Sequence, residues 1–195
     1  MGAERTKKTI IEAASKLFEK YGFYKTTMDE VAKIANKAKG SLYYHFKSKE
    51  ELFAAVIDVE LTKVKMALAS IVENTEMNSE EKLRAYFLTR MKVLNDHAHN
   101  YKEALKTGIY PKNVHVNKVR YKLEVWEKQN IKKIIQQGID EGNFTDISRS
   151  LDVIMEVFVI VQKGLESPFV LDGHYMKFAV HFNDMINILI KGLRK

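Results

Sequence analysis

The stretch that decides the fold is Thr26-Thr27-Met28-Asp29-Glu30-Val31-Ala32-Lys33-Ile34-Ala35-Asn36-Lys37-Ala38-Lys39-Gly40-Ser41-Leu42-Tyr43-Tyr44-His45-Phe46-Lys47-Ser48-Lys49-Glu50-Glu51-Leu52. It opens on a capping box, in which the Thr27 hydroxyl can accept from the backbone three residues on while Glu30 reaches back. A short helix over 28–35 follows. Asn36-Lys37-Ala38 reads as a turn, and a second short helix runs over 39–45. Ser48-Lys49-Glu50-Glu51 is another capping box and opens a long helix. Two short helices joined by a three-residue turn make a helix-turn-helix. Met28, Val31, Ala32 and Ala35 are placed to pack against Leu42 and Phe46, leaving the polar side chains of the second helix for another surface.

Upstream, Ile10, Ala13, Ala14, Leu17, Phe18 and Tyr21 recur at helical spacing. Gly22 stops that helix where a positive φ costs least. Downstream, Phe53, Val56, Ile57, Val64, Leu68 and Ile71 share one face of the long helix, and the polar run Asn74–Ser79 ends it. Further helices are expected at about 79–97, 100–108, 115–141, 148–166 and 174–193. Their stops are Gly108 with Pro111, Asp140-Glu141-Gly142-Asn143, Ser167-Pro168 and Asp172-Gly173. Strand signals are nearly absent. The fold class is all-α with about nine helices. An N-terminal three-helix helix-turn-helix domain (1–48) precedes a larger helical domain (49–195).

Composition narrows the function. The 195 residues carry a formal net charge of +7, and residues 1–50 hold 11 Lys or Arg against 6 Asp or Glu. A locally basic segment points to a polyanion partner, although charge alone admits a solvated basic surface equally well. The absence of cysteine excludes disulfides, thiolate metal sites and a cysteine nucleophile. No signal peptide opens the chain, and no apolar run approaches the ~20 residues of a membrane span. A cytoplasmic protein with no membrane partner is expected. No carboxylate pair, Ser/His/Asp set or phosphate loop stands out, so no enzyme, cofactor or metal is expected. His97 and His99 stand two apart, which does not place them on one helix face.

The order and spacing of these residues resemble the DNA-binding domain of the tetracycline-repressor (TetR) family of bacterial regulators. The resemblance runs over residues 5–57, through Ile11-Glu12-Ala13-Ala14, Leu17-Phe18, Tyr21-Gly22-Phe23, Thr26–Ala32, Lys39–Phe46 and Lys49–Leu52. It implies a homodimer whose N-terminal helices bind a double-stranded DNA operator. Carried over by position, Thr27, Tyr43, His45 and Lys49 contact phosphates, and Lys39, Gly40, Ser41 and Tyr44 lie nearest the bases. The basic turn at Lys37 adds to phosphate or guanine contacts. Packing roles for Tyr44 and His45, and a solvated turn for Lys37, remain open.

Beyond residue 57 the resemblance is looser. The segments 148–166 and 174–193 are apolar nearly all round, which calls for burial on all sides. Val157, Phe158, Val161, Phe178, Phe182, Met185 and Leu189 are therefore candidates for a four-helix dimer interface, with ordinary monomer core as the other reading. Phe87, Met91, Tyr101, Tyr110, Tyr121 and Trp126 are candidates for a largely apolar effector pocket, or else core packing. The function that follows is a ligand-responsive repressor released from a palindromic operator by a small effector, with the helix from Lys49 as the lever between the two parts. The alternative is a small-molecule or lipid-binding protein without specific DNA binding, against which the intact Lys39–Lys49 segment argues. A peripheral membrane role would need a cationic face that Glu4, Glu12 and Glu19 interrupt.

Overall fold

The computed structural model describes residues 2–98, 112–171 and 174–195. The described helices are α1 (Gly2–Lys25), α2 (Met28–Ile34), α3 (Lys39–His45), α4 (Lys49–Val72), α5 (Ser79–Ala98), α6 (Val114–Asp140), α7 (Leu151–Leu171), α8 (His174–Phe178) and α9 (Phe182–Leu193), with a 3-10 turn at Ala179–His181. Among the described residues there is no strand, only one antiparallel bridge between Phe144 and Arg194. The expected helix at 100–108, its stop at Gly108 and Pro111, and the Asp172-Gly173 turn lie outside the described residues.

Three helix ends differ from the sequence reading. Gly22 has φ 79° and ψ 167°, a conformation open essentially to glycine, yet the helix resumes for a last turn to Lys25. Tyr21, expected on the apolar face, is exposed there. Helix α7 runs through Pro168 to Leu171, because a proline near a helix end forfeits only one ladder bond. The single helix expected over 174–193 is broken by the 3-10 turn.

The chain forms two compact units. The first comprises 2–62 with 112–121, and the second 63–98 with 122–195, among the described residues. In the first, Phe18, Phe23 and Phe53 pack with ring centroids 5.0–5.8 Å apart, and Leu42 and Phe46 are buried beside them in one core. The Asn113 side chain caps α6, accepting from the backbone of His115 and Val116 while its amide donates to the Glu50 carbonyl.

In the second unit, α6 ends in a Schellman motif. Gly142 takes φ 76°, Asn143 N–H bonds back to the Gly138 carbonyl, and Gly142 N–H bonds to Ile139. Phe144 also donates to Gly138, and its buried ring lies over that glycine. Polar ties join the helices: Ser79 to Glu141, Lys82 to Gln137, Arg84 to Asn183 and Asn187, and Glu80 to Arg194 through two hydrogen bonds. Arg90 and Glu127 form a buried ion pair 2.5 Å apart, and Tyr86 donates to the same carboxylate. Burial pushes the Tyr86 phenol far above its ordinary value, so it remains a donor.

A Cβ at position 138 would stand 2.1 Å from the Phe144 ring. Gly138→Ala is therefore expected to destabilise the protein by about 2 kcal/mol, the usual penalty of overpacking a filled core. A urea titration checks this, with an unchanged midpoint as the contrary result.

Candidate nucleic-acid interface

Helix α2 begins as its capping box requires. Thr27 Oγ1 accepts from Glu30 N–H at 3.2 Å, and Glu30 Oε2 accepts from Thr27 N–H at 2.8 Å. The same hydroxyl donates to Glu30 Oε2 at 2.7 Å. A hydroxyl has one hydrogen. Thr27 is exposed as expected, but its donor is already committed to Glu30. Those bonds hold the Glu30 carboxyl below the usual carboxylate range.

The turn is a second Schellman motif. Asn36 takes φ 51°, Lys37 N–H bonds to the Ala32 carbonyl and Asn36 N–H to Lys33. Asparagine tolerates that left-handed position better than most residues. Helix α3 then packs on the core through Leu42 and Phe46. On its outer side Gly40, Tyr43 and Tyr44 recur at helical spacing, all exposed, with Tyr44 at 74%, and Lys47 is exposed just past the helix end. Nothing lies within 4 Å of where a Gly40 Cβ would stand, so the α3 backbone is open to close approach. Ser41 and His45 are half-buried at the edges of this face, and the His45 ring meets Tyr44 edge-on at 5.2 Å. Lys37 is half-buried in the turn.

Two lysines are held in ways the sequence did not reveal. Lys39 lies 2.8 and 2.9 Å from the two carboxylate oxygens of Asp29 on α2, and its ammonium is 5.9 Å from the Tyr43 ring. The hydrogen bond and charge of Asp29 raise its pKa. Ten residues separate the pair, so only the bent helix-turn-helix brings them together. Lys49, expected to reach a phosphate, instead turns its ammonium onto the carbonyls of Phe23 (2.9 Å), Thr26 (3.0 Å) and Tyr24 (3.4 Å). Burial lowers its pKa, opposed by Glu50 and Glu30. The second capping box is half-formed: Glu51 N–H donates to Ser48 Oγ, while the Glu51 carboxylate takes Lys47 N–H.

The other candidates separate. Phe87 and Met91 on α5 are half-buried, and Phe87 packs on Phe158 of α7 at 5.1 Å. Trp126 on α6 is half-buried with Lys65 5.4 Å from its ring. Tyr121 belongs to the first unit and is 64% exposed. Tyr101 and Tyr110 lie outside the described residues. Of the residues placed in the dimer interface, Val157, Val161, Phe178, Met185 and Leu189 are exposed. Phe158 and Phe182 instead pack inward, on Phe87 and Tyr175.

A seven-residue recognition helix, presenting glycine, hydroxyls and cations over a sealed apolar base, defines a helix-turn-helix DNA-binding protein. Residues 10–56 match the family described as bacterial regulatory proteins, tetR family. The chain is 31% identical over 158 residues to the uncharacterized HTH-type transcriptional regulator YhgD of Bacillus subtilis (strain 168), covering 80% of this chain and 78% of that protein. It is 44% identical over 57 residues to the HTH-type transcriptional regulator QacR of Staphylococcus aureus, spanning 29% of this chain and 30% of that one. The crystal structure of a transcriptional regulator from Cytophaga hutchinsonii shares the fold, with TM-score 0.75 at 24% identity over 96% of this chain and 98% of that one. The chain belongs to the TetR family and is a DNA-binding transcriptional regulator.

Asp29 places a negative charge beside the outer face of α3. Asp29→Asn is expected to tighten binding to unselected duplex DNA. It should also steepen the dependence of log affinity on log salt by about 0.9, the increment for one freed cation. Fluorescence titrations at several salt concentrations measure both, and an unaltered slope counts against an inhibitory role for Asp29.

Proposed function

We propose that the protein is a repressor that binds a palindromic operator as a homodimer in the cytoplasm and is released by a small, largely apolar effector. The observation that carries this reading is the outer face of the C-terminal helices. On α7, Val153, Val157, Ile160 and Val161 recur at i, i+4, i+7 and i+8, and all are exposed, Val157 at 54% and Ile160 at 67%. On α9, Met185, Ile188 and Leu189 form a second exposed strip. Contiguous apolar faces of this kind mark association surfaces. Two helices from each of two copies would make a closed, two-fold interface. The division of labour in this reading is 1–48 for DNA and 49–195 for effector and dimer, a functional boundary that falls within the first compact unit.

Lys39, Gly40, Ser41 and Tyr44 face the bases in this reading, and Tyr43 and His45 donate to phosphates with the basic Lys37 turn beside them. Thr27 caps the helix against which α3 packs. Phe87, Met91 and Trp126 contribute to the effector site. Effector binding shifts the dimer toward a spacing of recognition helices that no longer matches successive major grooves, ~34–36 Å or a multiple apart. Helix α4 carries that change, since it leads from the DNA-binding segment into the second unit.

Selection from a random-sequence DNA pool is expected to return an inverted repeat; recovery of single, unrepeated half-sites would overturn the homodimer reading. Val157→Glu with Leu189→Glu is expected to give a folded monomer by sedimentation, with operator affinity reduced on the order of a hundredfold or more once the half-sites bind separately. A double variant that stays dimeric places the interface elsewhere. Trp126 is the single tryptophan. Compounds that release the operator are expected to change its emission, and release with no change in emission would move the effector site away from it.

A further inference from the structure

We propose that Lys49 is a positioning residue for DNA binding: its ammonium gathers the carbonyls at the end of α1 and thereby ties together the two ends of the helix-turn-helix segment, instead of bonding a phosphate. The inference rests on DNA binding by the chain and is independent of the dimer, the operator symmetry and the effector.

The geometry carries it. Residues 27–48 contain α2, the turn and α3. Thr26 stands immediately before this segment and Lys49 immediately after it. Lys49 Nζ lies 3.0 Å from the Thr26 carbonyl, so one hydrogen bond spans the segment end to end. The same ammonium reaches the Phe23 and Tyr24 carbonyls at 2.9 and 3.4 Å. An ammonium has three N–H groups, and three carbonyl oxygens converge on it. These oxygens belong to the last turn of α1, beyond the Gly22 kink, and the residue after it, where carbonyls lack helical partners. The Phe23 ring lies 4.5 Å from the ammonium and packs in turn on Phe53 of α4. Thr26 Oγ1 bonds back to the carbonyl of Gly22 at 2.9 Å, so the gathered turn is fixed from the α1 side as well.

The consequence is mechanical. Helix α3 enters from α2 and leaves toward α4, and its direction is set by where those two helices begin. The Lys49 clamp holds the α1–α2 junction against the first residue of α4. Loosening it lets the entry and exit of α3 move apart while Leu42 and Phe46 keep the helix seated on the core. Phosphate contacts would be nearly unaffected and register on the base edges would suffer.

Lys49→Arg separates this role from a phosphate contact, because it keeps the positive charge and serves a phosphate at least as well. A planar guanidinium cannot point three donors at oxygens that converge on one ammonium. The full-length protein and its Lys49→Arg and Lys49→Met variants are titrated with two duplexes: one recovered from a random-sequence pool by the unaltered protein, and one of unselected sequence. Both variants are expected to lose on the order of tenfold on the selected duplex, the size of one charge-assisted hydrogen bond. Affinity for the unselected duplex and the slope against log salt should be unchanged. Retained affinity in Lys49→Arg, with Lys49→Met weaker on both duplexes and a slope lower by about 0.9, would make Lys49 a phosphate contact and overturn the proposal. A lower melting temperature with full discrimination between duplexes in both variants would make it a fold stabiliser only, which also overturns it. If Lys49→Met does not fold by circular dichroism, Lys49→Arg decides alone through the same comparison.

Discussion

The burial of Leu42 and Phe46 is the constraint on which the DNA-binding surface depends. Helix α3 has seven residues, well short of the ~12–15 that an isolated helix needs to persist in water. Two side chains at 0% and 2% exposure hold it. Each contributes roughly 1.5–3 kcal/mol of apolar burial, enough together to offset the cost of ordering a short helix. Because both anchors lie on one side, the other side carries no packing duty. Gly40, Tyr43 and Tyr44 stand exposed for that reason, and a glycine that would weaken an ordinary helix leaves an open backbone here.

The polar groups around α3 are held by their own neighbours before any DNA arrives. Thr27 spends its hydrogen on Glu30, Lys39 pairs with Asp29, and Lys49 is spent on α1. The local excess of positive charge is therefore partly neutralised at the interface itself. Exposed pairs such as Lys39–Asp29 contribute little to fold stability, yet Asp29 still competes with DNA for the Lys39 ammonium. A buried or fully coordinated ammonium is different, since moving it would strand three carbonyls. The basic residues thus divide into one that can exchange partners and one that holds the frame.

Local chemistry was legible in the sequence. The Thr27–Glu30 box, the Asn36 turn, the Gly142 stop and the inward faces of α2, α3 and α4 each follow from residues a few positions apart. What the sequence hid was set by packing across the chain. Asp29 and Lys39 meet only because a left-handed Asn36 folds α3 back toward α2. Lys49 finds α1 only through the aromatic cluster. Pro168 reads as a stop in sequence, but three residues from the helix end it removes only one ladder bond. Of the dimer candidates, Phe182 is buried and Phe158 is half-buried against Phe87, because side chains at helical spacing on opposite faces look alike in an apolar run.

That last distinction sharpens the case for a second copy. Leu151, Met155, Phe158 and Gln162 line one face of α7, and Val153, Val157, Ile160 and Val161 line the opposite one. The first face is satisfied within the chain. The second carries four β-branched aliphatic side chains exposed to water, continuous in kind with Met185, Ile188 and Leu189 on α9. A monomer has no use for a second apolar face at helical period, and water makes it costly. Area alone does not set affinity, since ordering and desolvation oppose it. The proposed two-fold pairing would use every such side chain twice, however, and would set two recognition helices on one body. Each head would then raise the effective concentration of the other on a symmetric site. In the proposed dimer, a seven-residue reader would gain its discrimination from being doubled.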